Sequence, residues 1–287
     1  MRGDFQARFC ERLGVKFPLS TRLLTIVSNL KNTMNQGICN LCKLEKKLIK
    51  KSHIIPDFVY RNSGMFDDKH RLKSFTKEDL LSGKKPKSEQ TGVYDGGILC
   101  ANCDNVVIGK YEKYASDIIY GKNLSEANKI KCTDYNDGDV LYSNCKNIDY
   151  KNYRLFLLSI LFRASISKNS FFENVGISEA NLEYLRKMIF TGNSGNYNDF
   201  PFTVTSLTQL EKVSEDLIVN PSKLEVDGLI RYNFIFGGML YTFFEGKNLD
   251  TYKFESLLIR PENNELTILH LFGLEGQKYF KNLIGAE

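Results

Sequence analysis

Apolar residues recur at two different periods along this chain, and the change of period divides it. Leu23, Leu24, Ile26, Val27 and Leu30 repeat at helical spacing behind Ser20, a residue type that caps helices, so the pattern predicts a helix over 19–31. Phe5, Phe9, Leu13 and Phe17, spaced by four, predict a shorter helix before it. Val107, Tyr111, Tyr114, Ile118 and Ile119 give one face of a helix opened by Asp104 and ended by Gly121. Residues 153–168 form an apolar helix, whose longest apolar run, Leu155 to Leu161, is broken by Ser159 and followed by Arg163 and reads as buried. Residues 178–190 form another, capped by Ser178 and ended by Gly192. Beyond it the period falls to two. Strands are predicted at 202–205, 217–219 and 229–236, with Gly237-Gly238 turning the last into 239–244. Residues 257–259 and 266–272 add two more. The sum is α+β with a mostly antiparallel sheet.

Two stretches break the pattern. Residues 62–92 are polar and basic, with Lys84-Lys85-Pro86-Lys87 as the most basic point, and form a long insertion. Residues 122–150 are polar around an acidic turn of Asp134, Asp137, Gly138 and Asp139. That turn lacks calcium-loop spacing and a closing bidentate Glu, so the stretch reads as a linker. The expected organisation is therefore a helical segment 1–37, a module 38–121 containing the insertion, the linker 122–150 and an α+β unit 151–287. No apolar run reaches membrane-spanning length, and Met-Arg-Gly-Asp-Phe lacks an apolar signal core. A cytoplasmic protein with no membrane partner is expected. Residues 151–287 contain no phosphate loop, dinucleotide fingerprint or nucleophile elbow, and His270 in an alternating strand reads as structural.

The cysteines change the picture. Of seven, four stand in two CxxC pairs, Cys39/Cys42 and Cys100/Cys103. Each pair can hold one edge of a tetrahedral Zn²⁺, and four thiolates leave no open position, so such a zinc is structural. Cys10 reads as a core residue, and Cys132 and Cys145, flanking the acidic loop, are assigned no role. The net charge of +5 is uneven: residues 1–150 carry +7 and the remainder −2. The basic excess thus sits with the CxxC pairs, as in a nucleic-acid-facing module, although a solvated basic face has the same appearance. Lys43, Lys46, Lys47, Lys50 and Lys51 lead into Ser52-His53-Ile54-Ile55-Pro56, where a hairpin is expected to deliver His53 at the end of its second strand.

The order of CxxC knuckle, His-x-x-Pro and a second knuckle opening a helix resembles the HNH nuclease family over about residues 38–120. The resemblance implies a treble-clef or ββα-metal zinc module, preceded by N-terminal helices and followed by a helix-plus-antiparallel-sheet domain. It implies His53 as general base, Asp104 as ligand of a catalytic Mg²⁺ or Mn²⁺, and Asp95 near the position that orients the base. Ser52 stands where many members carry an acidic residue or a second His, and Asp104 replaces the usual His or Asn. The implied partner is nucleic acid, DNA in the first place, gripped by Lys47, Lys50, Lys51, Arg61, Lys84 and Lys85. A partner protein or homo-oligomer, and a bacterial defence or mobile-element setting, also fit the resemblance. The alternative is an inactive zinc knuckle that binds nucleic acid or protein and targets the C-terminal unit.

Overall fold

The structure is a computed structural model that describes residues 36–62, 72–75, 87–89, 92–121, 124–211, 213, 218–226, 228–245, 255–262 and 264–284. The two helices expected within 1–37, together with Cys10, Lys84 and Lys85, lie outside the described residues, as does the side chain of Arg61.

The chain is a mixed α/β protein built on one large sheet. A short hairpin, β1 (Gln36–Ile38) and β2 (Glu45–Lys47), carries the first CxxC pair in its loop. β3 (Ser52–His53) leads into helix α1 (Asp57–Asn62), and β6 (Tyr94–Asp95) returns antiparallel to β3, with Ser52 opposite Asp95 and His53 opposite Tyr94. Between them, β4 (Leu72–Phe75) and β5 (Lys87–Glu89) form a second short hairpin. The insertion therefore contributes two strands to the large sheet. After the second CxxC, a π-helical turn (Cys103–Ile108) runs into helix α2 (Gly109–Tyr120), which ends on Gly121 at φ 60°. A left-handed residue there suits glycine.

Helix α3 (Tyr150–Ile166) is the predicted buried helix, capped by Asp149, whose carboxylate accepts from the Asn152 N–H at 2.9 Å. Every residue from Tyr153 to Ala164 is buried. Such a helix belongs inside a protein, between other elements. Helix α4 (Glu179–Thr191) ends on Gly192 as its pattern predicts. The remaining elements are β7 (Lys131–Asp137), β8 (Val140–Lys146), β9 (Phe202–Ser206), β10 (Ile218–Val226), β11 (Leu229–Phe236), β12 (Met239–Glu245), β13 (Leu266–His270) and helix α5 (Gly273–Ile284). The nine-stranded sheet runs β5-β4-β10-β11-β12-β9-β13-β8-β7. Only β4/β10 and β9/β13 are parallel pairs, so the sheet is mostly antiparallel. The Gly237-Gly238 turn joins Phe236 to Met239, with both glycines at positive φ.

Four expectations are corrected. Residues 122–150 are no linker: β7 and β8 form a hairpin at the sheet edge, with Asp137 opposite Val140. Gly138, at φ 62°, takes the first position of the two-residue loop, so the acidic turn is hairpin chemistry. Cys132 and Cys145, assigned no role, stand opposite each other in this hairpin with Cα atoms 4.0 Å apart and form a disulfide. The strand expected at 257–259 is instead a 3₁₀ turn (Glu255–Leu257) leading into β13, which is shorter than the predicted 266–272.

One hydrophobic cluster joins the knuckles to the sheet, running from Cys39, Leu41 and Ile54 through Leu155, Phe156 and Phe162 to Phe202, Phe234 and Leu266. The buried guanidinium groups of α3 find oxygens within the protein. The Arg154 guanidinium, 1 % exposed, donates to the carbonyls of Ser194 and Asn196 at 2.9 Å each, and to that of Asp199. Replacing Arg154 with Met leaves those carbonyls without a donor, and hydrogen bonds to a charged group contribute about 1.5–3 kcal/mol each. Arg154→Met is expected to lower unfolding stability by about 3 kcal/mol or more in urea titration. A midpoint equal to the parent's would show that the 194–199 loop is held by something else.

Candidate metal centre and histidine site

Four cysteine sulfurs converge where the two knuckles meet, all within 4.8 Å of one another. Local sequence explains the convergence. Cys39 accepts the Lys43 N–H at its carbonyl (2.8 Å) and donates its own N–H to Leu44 (3.0 Å), closing a tight loop in which Lys43 sits at φ 59°. The second knuckle is pressed against the first by ladder-like bonds. Ile49 N–H donates to Leu99, Gly97 N–H to Ile49, and both the backbone and side-chain amides of Asn40 donate to the Ile98 carbonyl. Gly96 is required here, since a Cβ would come within 2.5 Å of the Lys50 carbonyl oxygen. Helix α4 braces the loop from outside: Arg186, paired with Glu183, donates to the Leu41 carbonyl at 2.5 Å.

The sulfurs fit a zinc ion. Zn–S bonds of ~2.3 Å in tetrahedral array place sulfurs ~3.8 Å apart, a small contraction of the spacing found. Their protonation points the same way. Burial raises the Cys39 thiol, but N–H groups of Cys42, Cys100 and Leu41 outweigh it and bring its pKa down to about 7. Cys103 is pushed far up by burial, by its contact with the Cys100 side chain and by the nearby Cys39 charge. One thiolate is stabilised by the fold alone, whereas ionising all four needs a cation among them. Among the described residues the four cysteines are the one such convergent group of metal-binding side chains.

His53 lies at the end of β3, half-buried, with the edge of its ring against Tyr94 at 6.2 Å between centres. Its Nε2 is buried and has no hydrogen-bond partner among the described residues. Burial lowers its pKa below the ordinary 6.5, opposed by Asp57, Glu112 and Asp104 and assisted by Arg163. The imidazole is thus neutral at pH 7. Asp104, in the π-helical turn, accepts from the buried Ser52 hydroxyl at 2.5 Å. The knuckle and the turn therefore bring Asp104 to the strand end that carries His53. Asp95 is directed elsewhere: one carboxylate oxygen accepts from Ser167 Oγ at 3.0 Å and from the Lys168 N–H at 2.6 Å, and the other from the Gly96 N–H at 2.7 Å. It clamps β6 to the end of α3.

Two residues near His53 were not singled out in the sequence. Arg163, 2 % exposed on α3, donates from Nη1 to the His53 carbonyl at 2.5 Å. The same nitrogen lies 2.7 Å from Glu112 Oε1 on α2. That contact meets the distance of an ion pair but not the angles of a hydrogen bond, so Glu112 Oε1 counts among the buried oxygens without a hydrogen-bond partner. The signal was a cation inside an otherwise apolar helical run. Of the expected nucleic-acid contacts, Lys47, Lys50 and Lys51 are exposed on the knuckle side, Lys51 with its ammonium 4.8 Å from the centre of the Tyr94 ring.

No family model, curated protein or solved structure matches this chain. No helix among the described residues is long and apolar enough to cross a membrane.

Freshly purified protein is expected to contain one zinc per chain, and Cys100→Ser to lose it together with the fold of the knuckle region, read by elemental analysis and circular dichroism. Zinc-free parent protein would refute the assignment. For His53, the unfolded chain takes up a proton near pH 6.5 that the folded chain resists. Its contribution to stability is therefore present above that value and lost as pH falls through the lowered folded value. His53→Gln is expected to shallow the acid side of the stability–pH curve. An unchanged curve would remove His53 as the cause.

Proposed function

We propose that the chain is a metal-dependent endonuclease of the HNH type, hydrolysing phosphodiester bonds in DNA, with a structural zinc on Cys39, Cys42, Cys100 and Cys103. The observation that carries this reading is the Ser52–Asp104 hydrogen bond: the strand end that bears His53 is tied, through Ser52, to the carboxylate in the first turn after the last knuckle cysteine. The β3/β6 pair followed by the helical segment that begins at the second knuckle supports a ββα-metal or treble-clef module.

In this reading the neutral His53 takes the proton of the attacking water. Burial lowers its pKa below the ordinary 6.5 and so favours the unprotonated form a base needs. Asp104 would supply a hard oxygen to a Mg²⁺ or Mn²⁺, which would stabilise the charge that builds on the scissile phosphate. Asp95 acts as a brace. Lys47, Lys50 and Lys51, with Arg61, Lys84 and Lys85 of the expected set, neutralise backbone phosphates.

A second reading is a non-catalytic zinc module that binds nucleic acid or protein and targets the sheet-bearing half. It is favoured by the engagement of both Asp95 oxygens within the protein.

The test is cleavage of plasmid DNA and single-stranded RNA with Mg²⁺ or Mn²⁺. His53→Ala is expected to slow cutting by ~10²–10⁴-fold, the usual worth of a general base, at unchanged zinc content. Equal rates for mutant and parent would remove His53 from the chemistry. Nucleic-acid binding without cutting by either would establish the second reading.

A further inference from the structure

Helix α3 reaches the histidine site from the opposite half of the chain. Arg163 is almost fully buried there, yet it does not face a surface or a ligand. Its Nη1 donates to the backbone carbonyl of His53 at 2.5 Å, its Nε to the Ser159 carbonyl at 3.2 Å, and Glu112 lies 2.7 Å away as its counter-charge. Ser159 is itself buried and donates to the Phe156 carbonyl at 2.7 Å. The guanidinium is thus anchored on its own helix and holds on to the residue whose side chain is the candidate base.

A buried cation costs several kcal/mol to desolvate and persists only where oxygens surround it. An apolar side chain of similar length would fill the same space between α2 and α3 without that cost. What it could not do is fix the carbonyl of residue 53. Holding that carbonyl fixes the peptide plane from which the His53 side chain departs. Ser52, one residue earlier, is fixed independently by Asp104 at 2.5 Å, and the β3/β6 pairing fixes the strand axis. Three restraints from three elements thus fix the backbone from which the imidazole departs.

We propose that Arg163 and Glu112 are positioning residues for His53, acting through its backbone carbonyl, so that the histidine site is assembled by α2 and α3 as well as by the zinc module. This rests on the nuclease reading above. Neither residue touches substrate. Arg163 sets the orientation of the base, and Glu112 holds Arg163 in place and balances its charge. A misplacement of about 1 Å in a catalytic group can cost ~10²-fold in rate, so loss of this restraint is expected to appear in turnover and leave substrate binding unchanged.

The experiment compares Arg163→Gln, Arg163→Lys and Glu112→Gln with the parent in Mn²⁺-dependent plasmid cleavage. It measures kcat and KM per zinc-loaded, folded molecule and DNA affinity separately by fluorescence anisotropy. Arg163→Gln is expected to lower kcat by ~10–10²-fold with KM, affinity and zinc content unchanged. Arg163→Lys keeps the charge and can donate to the carbonyl, so it is expected to recover part of that loss. Glu112→Gln, which keeps size and removes the counter-charge, is expected to lower kcat in the same direction. Should Arg163→Gln fail to fold, Arg163→Lys and Glu112→Gln still decide the matter. Parent-like kcat in the folded variants would overturn the positioning role while leaving the nuclease reading intact. So would activity that falls only in proportion to zinc loss. A parent that binds DNA and never cuts it would overturn both.

Discussion

The constraint on which the rest depends is the burial of two guanidinium groups on one apolar helix. Helix α3 is surrounded on nearly every side, so Arg154 and Arg163 cannot reach water and must find oxygens within the protein. Arg154 finds them in the carbonyls of the 194–199 loop. Arg163 finds them in the His53 carbonyl and the Glu112 carboxylate. Each pairing converts a costly buried charge into a distance restraint between α3 and a distant segment. The loop after α4 and the strand bearing His53 are therefore located by the same helix.

The knuckles obey a parallel logic with sulfur in place of nitrogen. Four thiols in mutual contact cannot all ionise without a cation, and burial pushes Cys103 further from ionisation. Metal binding and folding of this region are then one equilibrium. Hydrogen bonds from Asn40 to Ile98, and from Arg186 on α4 to Leu41, hold the loops while the sulfurs close. The remaining described pair, Cys132 and Cys145, is brought together by strand register alone and is oxidised. Spacing of two residues favours a shared ion, whereas facing positions across a hairpin favour a bond between the sulfurs.

Much of this was legible where pattern and burial coincide. The helix ended by Gly121, the helix ended by Gly192 and the Gly237-Gly238 hairpin follow from periods and turn residues that the environment does not override, although Ser178 Oγ donates to Glu245 and makes no capping bond. The β7/β8 hairpin was missed because β7 is exposed along its whole length and so carries no apolar alternation. Its one signal, Asp-Gly-Asp between two polar runs, resembles ion-binding chemistry as much as a turn. The four zinc-type cysteines were legible because their spacing is itself the geometry. Asp95 was not. Its position beside the knuckle suggested a part in the site, but the N–H of Lys168 and the hydroxyl of Ser167 claim its oxygens, and nothing local in sequence reveals a partner seventy residues away.

The same limit explains why the chain reads as two halves although one hydrophobic cluster spans both. Composition shifts near residue 150 because the basic, cysteine-bearing part ends there, which is a statement about surface and chemistry. Packing follows a different rule. Ile54, Ile55 and Tyr60 from the first half are fully or almost fully buried, and the same hydrophobic cluster contains Leu155, Phe156 and Phe162 of α3. Phe58 stacks at a tilt on Phe156 with ring centres 5.8 Å apart. The segment that follows His53 is therefore seated on the helix that also grips its carbonyl. Any motion of β3 relative to α3 would break apolar contacts and expose a buried charge together. The histidine is held by the part of the chain whose own sequence carries no catalytic motif.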